Sequence, residues 1–490
     1  MSESTPDGVL ILYTGGTIGS LRKDRGDPLS PLEPAPLEEV LAHFPDYDAA
    51  GHRMPIGTRM IRLGTASFEP PLDSSDIEPG DWIRMARIIE ENYDAYEGFV
   101  ILHGTDTLAY TASALAFILG NLAKPVVVTG SQRPIGEVRS DAEQNLVTAV
   151  EIAAARSLGQ TVVPEVCVFF RDVLLRGCRT TKLSARSYNA FGSPNLEPVG
   201  RAGDTLRIDP ALLRPAGNGP LRLEQRFESN LASLDLFPGM PATLLRQVLS
   251  LPGLKGIVLR TFGSGNAPSS PELLAAVADA TARGILVVGA TQCPEGMVEL
   301  GRYTASASLL ARGVVSSLDM TREAALTKLF VVLGKITSPE EAADWMQIDL
   351  RGEQTQSVFN LHYEPGRLES GEVRRFLPRR PMTGHGRLVP DAIERALLRF
   401  TGLWLEGVSE GRIRFEAGVG IAGEDPAAGS STEGARDWSA AGGEEAVFVP
   451  VTEAARAGLE RAAELELTLA NRSGHPLVWS KLNLACFAEI

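Results

Sequence analysis

The N-terminal part of the chain alternates short apolar runs with longer segments whose apolar residues recur at helical spacing. Four runs have the length and the flanking turns of buried strands, at 8–14 (GVLILYT), 99–103 (FVILH), 125–129 (PVVVT) and 165–170 (EVCVFF). Helical spacing occurs at 107–119 and at 141–156, where Asp141 is predicted to be the N-cap. Strands that alternate with helices predict an α/β fold with a parallel sheet and right-handed crossovers.

A second alternating unit follows a stretch that lacks this periodicity. The runs GIVLRTFGSG (256–265) and GILVVGATQC (284–293) end in glycine turns, as strands do, and helices are predicted between them and at 322–333. The stretch before them is rich in Pro, Gly and Arg, which is typical of a connection between domains. The predicted organisation is an N-terminal α/β domain at 1–200, a linker at 201–232, a smaller α/β domain at 233–356 and a further module at 357–490.

The last part of the chain alternates apolar and polar residues, which is typical of half-buried strands. This pattern occurs at 356–363, 412–415, 445–450, 464–469 and 478–485. Helices are predicted near 390–401 and 452–463, and a mobile loop is predicted in the Gly/Ala/Ser/Glu-rich stretch between 417 and 446. The segment 465–484 has the pattern of two β-sandwich strands joined by a turn at 471–476. We therefore interpret 357–490 as a β-rich (α+β) module.

Composition and charge limit the classes of function. The 490 residues include 47 Lys or Arg and 61 Asp or Glu, which gives a formal net charge of -14. A nucleic-acid binder needs clustered basic residues, so the acidic balance argues against nucleic acid and against an anionic membrane surface. No apolar stretch reaches the roughly 18 residues that cross a bilayer. The N-terminus has an acid where a signal peptide is basic, so we expect a soluble cytoplasmic protein.

Cysteine and histidine spacing predicts neither disulfides nor a metal site. The four cysteines form no C-x-x-C pair, and they are Cys167, Cys178, Cys293 and Cys486. The six histidines show no H-x-H or H-E-x-x-H spacing. We expect free thiols and no bound metal.

Polar clusters follow three of the predicted N-terminal strands. They are YTGGTIGS at 13–20, GTDT at 104–107 and RTTK at 179–182. Parallel sheets bind ligands beyond the carboxyl ends of their strands, so these clusters are expected to meet. A threonine hydroxyl becomes nucleophilic when a nearby base takes its proton, and a lysine removed from water and held by an aspartate can be that base. The clusters therefore predict a nucleophilic site.

Each cluster alone has another interpretation. The first could be a phosphate-binding turn, but it is not G-x-G-x-x-G and no acidic residue closes a second strand about 20 residues later. Thr105 and Asp106 alone could cap a helix, and Lys182 alone could be a surface lysine. The catalytic interpretation depends on all three clusters meeting at one sheet edge.

Several motifs together resemble the type I (cytoplasmic-type) bacterial L-asparaginases, namely YTGGTIG, ILHGTDTLAYTASAL, VTGSQRP, RGCRTTK, SPNLEP, LRTFGSGNAP and DMTREAALTKL. They occur in order from about residue 8 to LRGEQT at 350–355. The resemblance implies a two-domain asparaginase-like parallel-sheet fold and the hydrolysis of L-asparagine to L-aspartate and ammonia. It also implies a homodimer or homotetramer that uses no metal or cofactor.

The resemblance also implies roles for individual residues. Thr14 resembles the nucleophile, and Thr105, Asp106 and Lys182 resemble the second catalytic group. Asp106 would also bind the substrate α-amino group. Ser74 resembles the family serine that holds the α-carboxylate of the substrate, and Ser75 lies beside it in the sequence.

Two further assignments from the resemblance are less direct. Some relatives place a tyrosine after the nucleophile, but the loop SLRKDRGDPLSPLEP has none and carries Asp27 near that position. Tyr303, in GRYTASASLL, is the alternative candidate, and it could instead pack at a domain interface. Some type I enzymes have an allosteric asparagine site, and Thr181, Arg260 and Cys293 resemble the residues at its positions. The same three residues also lie in motifs needed for packing.

Three other functions stay open. A glutaminase-asparaginase is possible because one methylene provides only about 1–3 kcal/mol of discrimination. The asparaginase-like subunit of a tRNA-dependent amidotransferase would carry an extra β domain before TGGTIG, whereas 13 residues precede Thr14. A catalytically idle ligand sensor would work through 357–490. For that module we expect a structural or oligomer-forming role, with binding of a partner or glycan as the alternative.

Overall fold

The computed structural model describes residues 7–23, 30, 32–44, 47–363, 366–370, 372–376, 393–405, 410–421, 431–439, 447–450, 465–473 and 477–489. The first part of the chain contains short and long strands: β1 Val9–Gly15, β2 Ser20–Arg22, β3 Leu32–Pro34, β4 Arg53–Ile56, β5 Arg59–Leu72, β6 Gly98–Leu102, β7 Leu119–Gly120, β8 Val126–Thr129, β9 Val166–Phe170, β10 Val173–Arg176, β11 Thr181–Lys182, β12 Phe191–Gly192, β13 Gly200–Ala202, β14 Leu206–Ile208 and β15 Arg222–Leu223. Its α-helices are α1 Leu37–Leu41, α2 Pro79–Glu91, α3 Leu108–Ile118, α4 Ala142–Ala153 and α5 Ala155–Leu158.

Nine of these strands form one mixed sheet in the order β14-β13-β10-β9-β8-β6-β1-β5-β4. The five central strands, from β9 to β5, are parallel, as the sequence predicts, and antiparallel strands extend both edges. Alternate residues of β1 enter two different cores: Leu10 and Leu12 pack on one face, and Val9 and Ile11 pack on the other. Both faces are covered because the helices of the parallel crossovers lie on them.

The helix predicted to begin after Asp141 is confirmed, and Asp141 is its N-cap residue, as predicted. The Asp141 side chain accepts no hydrogen bond from a backbone N–H of the first turn, although it accepts one of 3.3 Å from the Asn145 side chain. Its carboxylate instead accepts hydrogen bonds from the backbone N–H groups of Gln132 and Arg133, at 3.0 and 3.1 Å. The side chain therefore fixes the turn after β8 through two backbone amides.

The second unit is a four-stranded parallel sheet in sequential order, with β16 Leu231–Asp235, β17 Gly256–Thr261, β18 Leu286–Thr291 and β19 Val315–Ser316. Its helices are α6 Ala242–Leu249, α7 Pro271–Ala282, α8 Thr304–Ala311, α9 Arg322–Lys335 and α10 Pro339–Gln347. Leu329 of α9 and Leu115 of α3 belong to the same hydrophobic core, which joins the two sheets. Strands β13 and β14 lie across the start of the predicted linker at 201–232, and the division into domains stays a prediction.

The C-terminal module consists of antiparallel strands in its described parts: β20 Gln356–Tyr363, β21 Gly366–Leu368, β22 Val373–Phe376, β23 Ile393–Leu405, β24 Glu410–Ile421, β25 Ser431–Ser439, β26 Val447–Pro450, β27 Leu465–Asn471 and β28 Leu477–Glu489. One sheet has the order β20-β28-β23-β26, with β21 also paired to β28, and the other has the order β22-β27-β24-β25. The neighbours β27 and β28 lie in different sheets, as expected for two strands of a sandwich.

Two predictions for this module are wrong, and one falls outside the described residues. The helix near 390–401 is instead β23, because this segment pairs with β28 along most of its length and with β26. The predicted loop between 417 and 446 contains the end of β24 and all of β25, which pair with each other. The helix predicted at 452–463 lies outside the described residues. Every helix within the described ranges is too short or too polar to cross a bilayer.

Candidate active site

The candidate nucleophile lies at the carboxyl end of β1. Thr14 is 2% exposed, and its hydroxyl donates a hydrogen bond of 3.0 Å to the carbonyl of Leu102 at the end of β6. The two strands are parallel neighbours, with Tyr13 opposite Leu102. The hydroxyl is therefore fixed at the same sheet edge as the GTDT turn that follows β6.

The two glycines after Thr14 allow a close approach of three backbone segments. Gly15 and Gly16 have φ values of 124° and 90°, which side-chain-bearing residues rarely adopt. A Cβ atom on Gly15 would lie 2.2 Å from the carbonyl oxygen of Leu72, and one on Gly16 would lie 2.4 Å from Cα of Gly104. The turn amides thus lie directly against the end of β5 and the GTDT turn.

Lys182 joins two residues of the GTDT turn. Its ammonium donates hydrogen bonds to Thr105 Oγ1 at 2.8 Å and to Asp106 Oδ1 at 2.7 Å. Thr105 is buried, whereas the Asp106 side chain is 70% exposed. The lysine reaches this position from β11, and only 14% of its side chain is exposed. The arrangement combines a shielded hydroxyl and ammonium with a carboxylate that is open to a ligand.

Ser74 lies against the same turn. It begins a short 3-10 helix, Ser74–Asp76, directly after β5, and its carbonyl accepts a hydrogen bond of 2.6 Å from Thr107 Oγ1. A Cβ atom on Gly104 would lie 2.5 Å from Ser74 Oγ. The structure therefore brings Ser74 to the GTDT turn, and this hydroxyl requires glycine at position 104.

Ser75 is the more exposed of the two serines. Its backbone N–H donates to the Asp73 carboxylate at 2.8 Å. This hydrogen bond holds the pKa of Asp73 below its usual value, because it favours the ionised form. Ser75 thus stabilises the start of the 3-10 helix that presents Ser74.

His103 is a buried part of the site that the sequence analysis did not identify. A carbonyl can only accept, so His103 Nδ1 carries the proton and donates to the Gly104 carbonyl at 2.7 Å. Nε2 accepts from the Thr111 hydroxyl at 2.9 Å, and that hydroxyl accepts from Trp82 Nε1 at 3.0 Å. Burial lowers the pKa of His103 to about 4. A neutral imidazole therefore fixes the GTDT backbone. In the sequence, the position of His103 between the apolar run of β6 and the GTDT turn was the one feature that could have indicated this role.

Tyr303 has no contact with these groups among the described residues. It lies at the N-cap of α8 and is 50% exposed, with the Arg302 guanidinium 5.7 Å from the centre of its ring. Its backbone N–H donates to Ser306 Oγ at 3.1 Å. Asp27, which lies near the sequence position where some relatives have a tyrosine, is outside the described residues. The catalytic role of Tyr303 stays a prediction.

The predicted allosteric residues belong to a polar region at the second sheet. Arg260 pairs with Asp235 at 3.0 Å and donates to the Gln292 carbonyl at 3.2 Å, which places it beside exposed Cys293. Thr181 donates to Glu323 Oε1 at 2.9 Å.

A partly buried tyrosine, Tyr110, connects the two halves of this region. Burial raises the pKa of Tyr110 above its usual value, the charge of Glu323 raises it further, and the charge of Arg260 acts in the opposite direction. Both charged groups therefore lie near one phenol. In the described ranges, no three His, Cys, Asp or Glu side chains are placed to hold a metal ion.

Comparison with known proteins covers the first three quarters of the chain. The family model described as "Asparaginase, N-terminal" matches residues 8–213, and "Glutaminase/Asparaginase C-terminal domain" matches residues 230–346. L-asparaginase 1 of Escherichia coli K12 is 41% identical over 348 residues, which are 71% of this chain and 98% of that protein.

Two further relatives match a similar share of this chain. The crystal structure of L-asparaginase I from Vibrio cholerae is 40% identical and superposes with a TM-score of 0.63 over 72% of this chain and 100% of that chain. The 60 kDa lysophospholipase of Mus musculus is 40% identical over 372 residues, which are 74% of this chain. This chain spans 64% of that longer relative, which is less than two thirds of its length.

Proposed function

The chain belongs to the asparaginase family, and on this basis we propose that it hydrolyses L-asparagine to L-aspartate and ammonia. The observation that carries the proposal is the position of Lys182, whose ammonium contacts both Thr105 and Asp106 at the sheet edge where Thr14 ends β1. A nucleophilic hydroxyl, a shielded cation and an open carboxylate together fit amide hydrolysis through a covalent intermediate, with the carboxylate placed to bind the substrate.

In the proposed reaction, Thr14 Oγ1 attacks the side-chain amide carbon, and its proton is the one that the Thr105 hydroxyl relays to the departing nitrogen. The negative charge moves to the amide oxygen, where amides of the glycine turn after Thr14 stabilise it, at about 3–4 kcal/mol per donor. Collapse of this intermediate breaks the C–N bond, and nitrogen takes a proton as ammonia leaves. Water then attacks the carbonyl carbon of the acyl-Thr14 ester and the bond to Thr14 Oγ1 breaks. One proton of the water returns through Thr105 to Thr14 Oγ1 and restores the hydroxyl, and the other is lost to solvent as the product carboxylic acid ionises.

Lys182 and Thr105 act on the proton transfers of this cycle. The Lys182 ammonium donates to Thr105 Oγ1 at 2.8 Å, so it stabilises negative charge that develops on that oxygen. A more acidic Thr105 hydroxyl can give a proton to the leaving nitrogen and accept one from the attacking water. Burial of Thr105 strengthens this electrostatic effect because less water screens the ammonium.

Substrate binding uses the exposed carboxylate of Asp106 and the buried hydroxyl of Ser74. The Asp106 carboxylate is 70% exposed and binds the α-amino group of the amino acid. Ser74 lies on the other side of Gly104 and binds the α-carboxylate through its hydroxyl. Recognition of both the α-amino group and the α-carboxylate selects a free amino acid. The distance from these two groups to Thr14 selects the length of the amino-acid side chain.

Ammonia release from L-asparagine and from L-glutamine, each titrated over a wide concentration range, tests this proposal. We expect a much larger kcat/KM for asparagine. Similar values would indicate a glutaminase-asparaginase, because one methylene is worth only about 1–3 kcal/mol. Release from neither amide would indicate an idle site or a different substrate, and the proposal would fail.

We propose in addition that Thr181, Arg260 and Cys293 take part in a second asparagine site. The support is the resemblance to type I enzymes together with the buried Arg260 Nε and Glu323 Oε2, which have no hydrogen-bond partner among the described residues. Calorimetry on the Thr14→Ala variant should detect two binding events, of which Arg260→Met removes one. A single binding event with hyperbolic kinetics would exclude this site.

The resemblance also supports a cytoplasmic homo-oligomer, either a dimer or a tetramer. For the module at 357–490 we propose a structural role in that assembly. Its first strand contacts the catalytic part through Val358, which packs with Leu318 and Ala485. Light scattering on the full chain and on a chain that ends at 356 distinguishes the possibilities. An active oligomer of unchanged order in the shorter chain would rule out the assembly role.

A further inference from the structure

A cavity of about 190 Å³ lies at the end of α3 that is remote from Thr14. Ala116 and Leu119 bring the C-terminal end of α3 to its wall, and Val166 brings the start of β9. The GTDT turn precedes the opposite end of the same helix. The cavity is therefore at the amino ends of the central strands and separate from the candidate active site.

Three arginines and one carboxylate line this cavity. The arginines are Arg176, Arg214 and Arg351, and the carboxylate is Glu165. Arg176 forms an ion pair of 2.6 Å with Glu165, and both side chains are nearly buried. Arg214 forms an ion pair of 2.9 Å with Asp349. Two of the three guanidinium charges are thus neutralised by neighbouring carboxylates.

The third guanidinium, on Arg351, has no carboxylate within ion-pair distance in the described part of the chain. Its Nε donates to the Ala116 carbonyl at 2.9 Å and its Nη1 donates to the Leu350 carbonyl at 2.8 Å. The two carboxylates nearest in sequence are already paired, Glu353 with Lys328 at 2.6 Å and Asp349 with Arg214 at 2.9 Å. Burial lowers the pKa of Arg351 below its usual value, with partial compensation by Glu353. A desolvated cation of this kind favours an anion beside it.

We propose that this cavity binds a small oxyanion, a carboxylate or inorganic phosphate, between the guanidinium of Arg351 and that of Arg214. A planar guanidinium matches two oxygens of such an anion with two parallel hydrogen bonds. Access from solvent is available at Arg214, whose side chain is 32% exposed, and at the exposed Pro215. When Asp349, the partner of Arg214, is counted with the lining residues, three guanidinium groups face two carboxylates and one negative charge is missing. The volume admits only a small molecule.

The site borders both elements that carry the proposed catalytic groups. Arg351 holds the last turn of α3 through Ala116, and the GTDT turn begins that helix. Arg176 and Cys178, which also line the cavity, immediately precede the segment that leads to Lys182. Bound oxyanion would therefore stabilise the framework of the catalytic site without contacting the substrate.

Isothermal titration calorimetry on the full-length protein tests the site, with inorganic phosphate and acetate titrated separately at constant ionic strength. We expect saturable binding of at least one anion, and the tighter of the two identifies its chemistry. Arg351→Met is expected to weaken this binding by at least about tenfold, since charge-assisted hydrogen bonds are lost. Arg207→Met is the matched control, because Arg207 is exposed and does not line the cavity.

Two further variants keep the result interpretable. If Arg351→Met does not fold, Arg214→Met is expected to give the same loss of binding, because its side chain is partly exposed at the same cavity. Lys182→Met removes the candidate active-site cation and is expected to retain the binding. Absence of saturable binding to the wild type, equal binding to the cavity variant and the Arg207→Met control, or loss of binding in Lys182→Met would each overturn the inference. None of these readouts depends on asparagine hydrolysis.

Discussion

The guanidinium of Arg179 and the carboxylate of Asp319 form an ion pair of 2.8 Å in which both side chains are almost fully buried. Arg179 also donates to the Gly352 carbonyl at 2.9 Å, and Asp319 accepts from the Thr355 hydroxyl at 3.0 Å. Because Lys182 follows Arg179 by three residues, this pair fixes the catalytic loop to the second sheet and to the segment 352–355 that precedes β20.

Replacement of Arg179 should therefore destabilise the protein strongly. We expect Arg179→Met to lower the free energy of unfolding by about 3–5 kcal/mol, because Asp319 would keep a buried charge without its cation. Urea denaturation measures this change. Arg201→Met is the matched control, since its ion pair with Glu197 is exposed and should contribute at most about 1 kcal/mol. Equal effects of the two substitutions would contradict the proposed role of the buried pair.

Lys182 is expected to affect turnover far more than stability. We expect Lys182→Met to lower kcat for asparagine by about 10²–10³, since the ammonium that polarises Thr105 is lost. Ammonia release measures the rate, and thermal unfolding shows whether the variant stays folded. Lys255→Met, which removes an exposed lysine outside the site, should leave both quantities unchanged. A folded Lys182→Met enzyme with nearly normal kcat would show that this lysine is not catalytic.

His103 should make the protein less stable in mild acid. Its pKa is about 4 in the folded chain and about 6.5 when exposed, so the unfolded chain binds the extra proton between these values. The contribution of neutral His103 to the free energy of unfolding is fully present above pH 6.5. It is lost as the pH falls towards 4, by about 3 kcal/mol in total.

The effect of His103 is measured by urea denaturation at pH 7 and pH 5. We expect His103→Asn to reduce the difference between the two values, although it also lowers stability at pH 7 by removing hydrogen bonds. His52→Asn is the control, because His52 is exposed and should leave the pH dependence intact. An unchanged pH dependence in His103→Asn would mean that this imidazole is not held neutral.

Tyr303 is predicted to assist Thr14 through its hydroxyl. If it does, Tyr303→Phe should lower kcat about tenfold, which corresponds to one transition-state hydrogen bond of roughly 1.4 kcal/mol. Its exposed ring predicts little change in stability. Tyr188→Phe removes another tyrosine hydroxyl, one that bonds to the Arg139 carbonyl, and serves as the control. A normal kcat in Tyr303→Phe would remove this residue from the mechanism.

Local patterns were sufficient to predict the elements around the site. The runs that became β1, β6, β8 and β9 are continuously apolar because both faces of the parallel sheet are covered. The turns after them carry Thr14 and Thr105, and the rule that ligands bind beyond the carboxyl ends of parallel strands placed both residues at one edge. The position of Ser74 came from the family resemblance, because nothing in its local sequence marks it.

Long-range contacts explain what could not be predicted. Arg179 and Asp319 are 140 residues apart in sequence, so no spacing rule connects them. The strand β23 contains apolar residues that also fit helical spacing, and its pairing with β28 decides the outcome. For Asp141, a helix N-cap pattern was correct in position, but two amides in the preceding turn compete for the same carboxylate.

The most direct test of the central claim is ammonia release from L-asparagine by the full-length protein and by its Thr14→Ala variant. The account predicts rapid release by the wild type. It predicts a kcat lower by at least about 10²–10³ for the variant, since the hydroxyl that forms the covalent intermediate is missing. Thermal unfolding of the variant shows whether the fold is retained. A folded Thr14→Ala protein that turns over asparagine at nearly the wild-type rate would contradict the assignment of Thr14 as the nucleophile.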